Sequence, residues 1–511
     1  NKIIALMKRI LLTLIIVLLS HGTIFAQDIF FNPTLNIEGV LKKDYQNATK
    51  GTPVLLQRIA KLKATHYNGN YETQAVVIAN GVQLGIPISR LDIIDLHPDS
   101  NNAFWQIVQL SNGLISYYDK KGYQEILRQE QAEEADEYLK ELVQSQLLYE
   151  DAATEDYLQC LLLSIAPNQF INTHKNPVPQ IRILKSPSPD ALMLSNQCLL
   201  ISTGLLTTLD TEEELCAILA REVAHDVLDH AIITTNKNIA RAKRAEFWGD
   251  VANGVVAATE EYLYQRYYNY EPGLVFATND LIQTLVNEKI INRMGLDYSE
   301  KQEVEADEYA KFMEFTGKNK EALISALTKI YSYYKDEHNV KALSKGDIYG
   351  TLEKRLEKMG AFTPLSEDRN YLKMTSTVVS FESGMMDYNR KYIASARLAM
   401  KNIDNKMACP NDYIIMTNSI MKLSNTPENN KKCIAYLNKA EELSNTPNLN
   451  IHKLKILLTL RENKQTIAIK LLQEYQDLLE NVIQQSHETE ETRWLVTEQI
   501  WAEKLIHRIM L

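Results

Sequence analysis

The stretch from Asp210 to His230 constrains the fold of this chain more than any other segment. Thr211 and Glu214 have the spacing of a capping box, in which two side chains bond the first free N–H groups of a helix. Apolar residues recur behind the box at helical spacing, at Leu215, Ile218, Leu219 and Val223. The pattern predicts an amphipathic helix that starts near Thr211 and runs through His230.

One face of this helix carries polar side chains in a suggestive order. Arg221 and His225 are one turn apart and share a face, with Glu222 beside them. In H-E-x-x-H zinc hydrolases this face holds two zinc ligands, and the Glu is the general base on the metal-bound water. The first ligand position here is Arg221 and not His, and Arg-Glu-x-x-His alone arises by chance in many helices.

A second helix start supplies the missing context. Ser299 and Gln302 have the spacing of another capping box, and the helix that it opens reads Glu303-Val-Glu-Ala-Asp307. A Glu-x-x-Ala-Asp segment after an H-E-x-x-H-like helix stands where a third zinc ligand and its supporting carboxylate belong. Further matching elements are Asp190-Ala-Leu-Met-Leu, Ile201-Ser-Thr-Gly-Leu-Leu and the Glu-Glu-Leu that leads into the first helix.

On these motifs the region of about residues 150–360 resembles metallopeptidase family 48. This is the family of the CAAX prenyl endopeptidases and of the periplasmic peptidases with tetratricopeptide tails that oversee outer-membrane protein assembly. The resemblance implies an α+β, mostly α fold with a gluzincin-type peptidase domain, which binds zinc and hydrolyses peptide bonds.

The resemblance also implies site roles. His225 and Glu303 would be zinc ligands, Glu222 the general base, and Asp307 the partner that supports the first-position ligand. The strand near Ala191–Ser195 would pair with the backbone of a substrate.

Two departures from the family pattern put activity in doubt. Arg221 replaces a ligand, and the later His-Pro-x4-Arg element reads Tyr349-Gly350 followed by Arg355, so only its Arg remains. His230 is a further candidate ligand, but five residues after His225 it points off the ligand face, and we interpret it as structural.

Arg221 cannot take over the role of a ligand. A guanidinium is always protonated and has no lone pair to donate. About 4 Å from a divalent ion, at an effective dielectric of about 20, it would repel the ion by about 8 kcal/mol. That is comparable with most of the ~10–16 kcal/mol of a complete structural zinc site. We hypothesise that Arg221 occupies the metal position and bonds Asp307 and Glu303.

Two function classes follow. In the first, the chain is a pseudo-peptidase or peptide-binding adaptor. In the second, it is an active zinc metalloendopeptidase that uses Glu222, Arg221 is an isolated change, and its side chain turns to solvent.

The start of the chain has the anatomy of a secretory signal peptide. Met7, which looks like the natural start, is followed by Lys8-Arg9 and an apolar run over residues 10–19, with cleavage expected after Ala26. An uncleaved anchor is the alternative, and Gln27 in place of Cys argues against a lipoprotein. We expect a periplasmic or extracellular protein whose partners are unfolded or misassembled envelope proteins or peptides.

The remaining chain divides into three regions. Residues 27–123 predict a small β-rich domain. Apolar and polar positions alternate over residues 70–123, and hairpin signals occur at Asn80-Gly81 and Asn112-Gly113. Residues 124–364 form the metallopeptidase-like domain, with short strands predicted at Gln180–Lys185 and Leu192–Ser202.

Residues 365–511 predict a helical tail. Ala396, Ala435 and Ala468 are spaced roughly like tetratricopeptide repeats, and Ser-Asn-Thr-Pro occurs at 424–427 and 444–447. Any antiparallel helical bundle could give some of these matches. As a repeat array the tail would be a protein-binding surface.

Composition excludes several other classes. The 511 residues include 55 Lys and Arg and 65 Asp and Glu, which gives a net charge of −10. This acidic balance, without basic stripes, argues against nucleic-acid binding. Five cysteines are too few and odd in number for a disulfide framework, although Cys409 and Cys433 could pair or remain free thiols. The Tyr-rich stretch Tyr262–Tyr270 behind the apolar run Val251–Ala258 could touch a membrane or pack over the cleft.

Overall fold

The computed structural model describes residues 35–63, 71–111, 124–167, 178–235, 298–309, 311–337, 348–361, 363, 365–485 and 490–510. The predicted signal peptide, the Asn112-Gly113 turn and the stretches Val251–Ala258 and Tyr262–Tyr270 lie outside these residues. The chain divides into two compact units. The N-terminal unit comprises Asn1–Ser186, Asp190–Ile201 and Glu213–Thr363, and the C-terminal unit comprises Pro187–Pro189, Ser202–Glu212 and Pro364–Leu511.

A five-stranded antiparallel sheet opens the N-terminal unit. Its strands are β1 (Ile37–Leu41), β2 (Pro53–Lys63), β3 (Tyr71–Ala79), β4 (Val82–Pro87) and β5 (Ile94–His97), in the order β4-β3-β2-β1-β5. The turn between β3 and β4 is Asn80-Gly81, and both residues take positive φ angles, of 51° and 77°. A type I′ hairpin turn needs this conformation, so the hairpin predicted here is confirmed.

The strand-like reading of the segment from Phe104 to Tyr118 is wrong where the structure describes it. Residues Asn101–Ser111 form helix α1, and the Ser100 hydroxyl accepts a hydrogen bond from the Ala103 N–H, 3.2 Å away. Helix α1 is buried on more than one side, since it packs on the sheet and also stacks Trp105 against Phe312 with ring centroids 5.3 Å apart. A helix buried on two sides has no continuous polar face, and without one its sequence pattern is hard to tell from the alternation of a strand.

A second sheet of four strands forms the base of the candidate site. Its strands are β6 (Leu148–Tyr149), β7 (Gln180–Leu184), β8 (Ala191–Met193) and β9 (Cys198–Ser202), in the order β6-β7-β9-β8. The predicted strand Leu192–Ser202 is therefore a hairpin, which turns at Gln197 with a φ of 64°. Helices α2 (Gln124–Gln144) and α3 (Ala152–Ile165) accompany this sheet, and α2 packs on it through Tyr138 and Leu142.

The first predicted helix is shorter than the sequence suggests. Helix α4 (Thr203–Thr208) is followed by helix α5 (Glu212–Val227), which begins directly after Thr211 but ends before His230. Asp229 has a φ of 57° and its carboxylate accepts a hydrogen bond from Arg128 of α2, so the chain turns before residues 230–235 resume a helix. A left-handed residue ends a helix because the backbone can no longer continue the hydrogen-bond ladder.

The second predicted helix is confirmed together with its cap. Helix α6 (Glu300–Glu308) begins after Ser299, and both hydrogen bonds of the Ser299–Gln302 capping box are present. Helices α7 (Lys311–Phe315), α8 (Ala322–Glu337) and α9 (Ile348–Met359) complete the unit in the part of the chain that is described. The Glu214 carboxylate accepts hydrogen bonds from Ser325 and Lys329 of α8, which joins the start of α5 to α8.

The C-terminal unit contains α4 and a series of helices. These are α10 (Arg369–Tyr388), α11 (Tyr392–Asp404), α12 (Pro410–Leu423), α13 (Pro427–Leu443), α14 (Leu449–Arg461), α15 (Gln465–Gln485) and α16 (Glu490–Met510). Each packs against the next along the chain. Both Ser-Asn-Thr-Pro segments connect helices, and the Thr426 hydroxyl accepts a hydrogen bond from the Asn429 N–H at the start of α13. The C-terminal region is thus helical, as predicted.

The alanines that suggested the repeats do not all mark close helix contacts. Ala468 is buried, but Ala396 is half-buried and Ala435 is exposed. The fully buried alanines of the same helices are Ala399 and Ala440. Cys409 and Cys433 are free thiols. Among the helices described, none is long and apolar enough to cross a membrane.

Candidate functional site

Three helices of the N-terminal unit bring the predicted site residues together. Helix α5 supplies Arg221, Glu222 and His225, α6 supplies Glu303 and Asp307, and α9 supplies Arg355. All six side chains are buried or nearly so, and the most accessible, Arg221, has a side-chain exposure of 14%. Helical periodicity explains the grouping, because residues one turn apart share a face.

The Arg221 guanidinium lies among three carboxylates. Its Nη1 donates to Glu222 Oε1 at 2.6 Å, and its Nε donates to Asp307 Oδ1 at 3.2 Å. Its Nη2 donates to Glu303 Oε2. Arg221 therefore contacts Asp307 and Glu303, as hypothesised from the sequence, and Glu222 as well.

Arg355 forms a second cationic contact with the same acids. Its Nε and Nη2 donate to the two carboxylate oxygens of Asp307, each at 2.6 Å, and its Nη1 donates to Glu303 Oε2 at 2.7 Å. The Asp307 pair is bidentate, which is the strong geometry for guanidinium and carboxylate. Two guanidinium groups thus share three carboxyl groups in a small buried volume.

Glu222, for which the family resemblance implies the role of general base, is held on two sides. Burial raises the pKa of Glu222 to about 7, and the Arg221 charge opposes that shift. The backbone N–H of Met193 in β8 donates to the same carboxylate. Because Glu222 bonds the Arg221 guanidinium and a strand N–H, its oxygens are committed to protein groups.

His225 is buried within a small aromatic cluster. Its ring stacks on Tyr298 with centroids 4.0 Å apart, and its Nδ1 lies 2.9 Å from Nδ1 of His230. Burial, together with the nearby Arg221 charge, lowers the pKa of His225 well below its usual range, so the ring is neutral. Its Nε2 lies 4.0 Å from Glu303 Oε1 and has no hydrogen-bond partner within the described residues.

His230 supports this cluster from the far side of the helix break. Its backbone carbonyl accepts a hydrogen bond from Gln302 Nε2 at 3.1 Å, and its Nε2 lies 3.5 Å from Glu305 Oε2. The structure thus places His230 beside His225, and not beside the three carboxylates that Arg221 contacts.

Two neighbours of the site were not found by sequence reasoning. Tyr298 stands just before the capping residue Ser299, and an aromatic residue at that position could have indicated packing onto α5. Met193 acts through its backbone, which leaves no trace in the residue type. A strand near Ala191–Ser195 was predicted, but not the donation of its Met193 N–H to Glu222.

The side chains do not fit a zinc ion. A tetrahedral zinc site of this type needs three protein ligands at about 2.0–2.2 Å. Only His225 and Glu303 offer lone pairs toward a common point, and the Arg221 guanidinium bonds Glu303 there. No group of three His, Cys, Asp or Glu side chains among the described residues is arranged to hold one metal ion.

Comparison with known proteins identifies the region. Residues 152–377 match the family model described as Peptidase family M48, whose members are generally zinc-dependent. No curated protein matches the chain.

Proposed function

Since residues 152–377 belong to peptidase family M48, a family of metallopeptidases, we propose that this chain binds peptides in the family's cleft without zinc-dependent hydrolysis. We propose further that it is exported and that its ligands are extended segments of unfolded or misassembled envelope proteins. The observation that carries the proposal is the Arg221 guanidinium, which bonds Glu222, Glu303 and Asp307 together.

Electrostatics favours this reading over a vacated zinc site. A metal ion bound by ligands from α5 and α6 crosslinks these two helices, and its loss leaves buried carboxylates unpaired. Here Arg221 and Arg355 neutralise those carboxylates and connect α5, α6 and α9 by charge-assisted hydrogen bonds. Added zinc would bring two more positive charges to a site that already holds two guanidinium groups.

The edge of the second sheet offers the means of binding. Within the described part of the chain, β8 is the outer strand beside β9. The Leu194 N–H donates to the Cys198 carbonyl, so by strand alternation the N–H groups of Ala191 and Met193 face the other way. The Met193 N–H donates to Glu222, and the Ala191 N–H is the donor that this edge offers to a peptide. An extended peptide can add to such an edge through main-chain hydrogen bonds, which suits ligands of varied sequence.

A binding experiment tests the strand. Ala191→Pro removes one outward N–H and is expected to weaken binding of labelled unfolded polypeptide, such as carboxymethylated casein, by at least about tenfold. Gln83→Pro is the matched control, an exposed position in the edge strand β4 of the other sheet. Equal affinity of Ala191→Pro and wild type, measured by fluorescence anisotropy, would count against binding at β8.

A proteolysis experiment tests the absence of zinc chemistry. Wild type and Glu222→Gln are expected to leave casein equally intact over hours. Cleavage by the wild type that is lost both in Glu222→Gln and on chelation would refute the proposal.

One observation favours a second function, an active zinc metalloendopeptidase that uses Glu222. The buried His225 Nε2 lies 4.0 Å from Glu303 Oε1 without a hydrogen-bond partner in the described residues, as a metal-ligating nitrogen would. Arg221→His separates a site that lacks one ligand from a site that has decayed further. Gain of casein cleavage in this variant means that the other groups remain competent, and continued inertness means that they do not.

A further inference from the structure

A reactive pair of side chains lies outside the site, where α5 meets the loop after α7. The Lys318 ammonium nitrogen lies 3.0 Å from the Cys216 sulfur and donates to it. Cys216 is completely buried in the first half of α5, while Lys318 is half-buried. A thiol and an amine at this separation are close enough for a single oxygen atom to join them.

The loop holds Lys318 in this position through its backbone. Gly317 has a φ of 73°, and the N–H groups of Gly317 and Lys318 donate to carbonyls of the preceding helical turn, at 3.1 and 2.8 Å. The next N–H, that of Asn319, points to the Glu213 carboxylate of α5 at 3.5 Å. The contact between nitrogen and sulfur therefore rests on a defined turn at the end of α7.

The environment of Cys216 differs from that of the other buried thiols. A lysine ammonium beside a thiol favours the thiolate, the form that oxidants attack. Burial raises the pKa of Cys198 to about 12 and raises the pKa of Cys433. Cys216 is buried as well, and of these three thiols it is the one that receives a hydrogen bond from a lysine.

We propose that Cys216 and Lys318 are a modification site, which dioxygen converts into a covalent nitrogen–oxygen–sulfur bridge. The thiol, the ammonium group and one dioxygen molecule give Cys–S–O–NH–Lys, one water and one proton. The S–O and O–N bonds form, and the S–H bond, two N–H bonds and the O–O bond break. Sulfur and nitrogen each give up two electrons, and the two oxygen atoms of dioxygen accept the four. Dioxygen is small enough to reach a thiol that larger oxidants cannot.

The bridge would join the same two parts of the chain that Arg221 joins. Cys216 precedes Arg221 on α5. Helix α6 carries Glu303 and Asp307, α7 is the next helix, and Lys318 lies in the loop after α7. A covalent link between these segments restricts the unfolded chain as a disulfide does. It would stabilise the arrangement of α5 and α6 in an oxidising compartment without any metal.

Thiol counting by mass spectrometry tests the bridge on the full-length protein. Protein purified in air is denatured with an alkylating reagent and no reductant, and then again after treatment with dithiothreitol. Of the five cysteines, four are expected to be alkylated before reduction and all five after it. Tandem spectra should join the peptides of Cys216 and Lys318, with a mass gain of one oxygen less two hydrogens. The bridged protein should also melt several degrees higher than the reduced protein.

Two comparisons make the test decisive. Lys318→Arg keeps the positive charge beside Cys216 but is expected to leave that thiol free to react. Wild-type protein prepared without oxygen should show five free thiols until air is admitted. Five alkylated thiols in the aerobic wild type would overturn the proposal. So would a blocked Cys216 in Lys318→Arg, or a mass loss of two hydrogens with two blocked thiols, which would indicate a disulfide.

Discussion

Arg221→Met tests how much the buried charge network contributes to stability. Met retains much of the buried side-chain volume but removes the hydrogen bonds to Glu222, Glu303 and Asp307. Arg355 still pairs with Glu303 and Asp307, so the main unpaired charge is that of Glu222. Breaking a buried ion pair by removing one partner costs about 3–5 kcal/mol, and we expect this loss near pH 8.

The loss should shrink as the pH falls. In the wild type the pKa of Glu222 is already raised to about 7 by burial, and Arg221 opposes the rise. Without Arg221 the pKa of Glu222 in the folded state is higher still. A carboxyl group with a raised folded-state pKa stabilises the fold at pH values below its pKa in the unfolded chain. This stabilisation is lost as the pH rises through the folded-state pKa. Protonation therefore reduces the difference from the wild type by up to about 1.4 kcal/mol per pH unit from pH 8 down to about pH 7, below which the wild-type carboxyl group is protonated as well.

Urea unfolding followed by circular dichroism, with hydrogen exchange of the α5 peptides, measures this effect. Arg221→Met/Glu222→Gln removes both partners and should recover part of the lost stability near pH 8. Arg397→Met, at an exposed arginine of α11, is the matched control. If Arg221→Met unfolds at the wild-type urea concentration at both pH values, the guanidinium does not hold the network as described.

Three further outcomes are expected. Burial raises the pKa of Glu382 from 4.5 to about 7 although Thr203 donates to it, so the stability that its protonated form provides is lost as the pH rises from about 4.5 through 7. From pH 5 to pH 8, the free energy of unfolding of Glu382→Gln, measured in urea, should therefore rise by up to about 3 kcal/mol relative to that of the wild type. An equal difference between the two proteins at both pH values would contradict this. Gly204→Ala would place a Cβ 2.0 Å from the Pro187 carbonyl oxygen, and it should lower the free energy of unfolding by about 1–3 kcal/mol or more; an unchanged midpoint would refute the close approach. A chelator should leave the thermal midpoint of the wild type unchanged, whereas a fall of several degrees would reveal a structural metal.

The features that the sequence predicted correctly are those with local causes. Capping side chains and turn residues lie within a few positions of the structure that they specify, so the starts of α5 and α6 and the Asn80-Gly81 turn could be read directly. The end of α5 could not, because the left-handed Asp229 meets Arg128, which comes from a distant helix.

Burial on several sides explains the errors. Helix α1 packs on a sheet and also against Phe312, so its apolar pattern imitated a strand. Ala435 showed repeat-like spacing but faces solvent, since spacing alone does not specify which side of a helix is covered.

The candidate site was predictable as far as charge balance dictates it. A buried arginine requires acidic partners, and the family pattern located Glu303 and Asp307 near it. The pairing of His230 with His225 and the bond from the Met193 N–H to Glu222 depend on tertiary geometry, which no single motif encodes.

The zinc content of the purified protein tests the central claim most directly. Elemental analysis is made on wild type and on Arg221→His, each dialysed against metal-free buffer after exposure to one equivalent of zinc. We predict far less than one zinc per wild-type chain, because Arg221 bonds Glu303 where a metal would stand. One tightly held zinc per wild-type chain, lost in His225→Ala, would contradict the account.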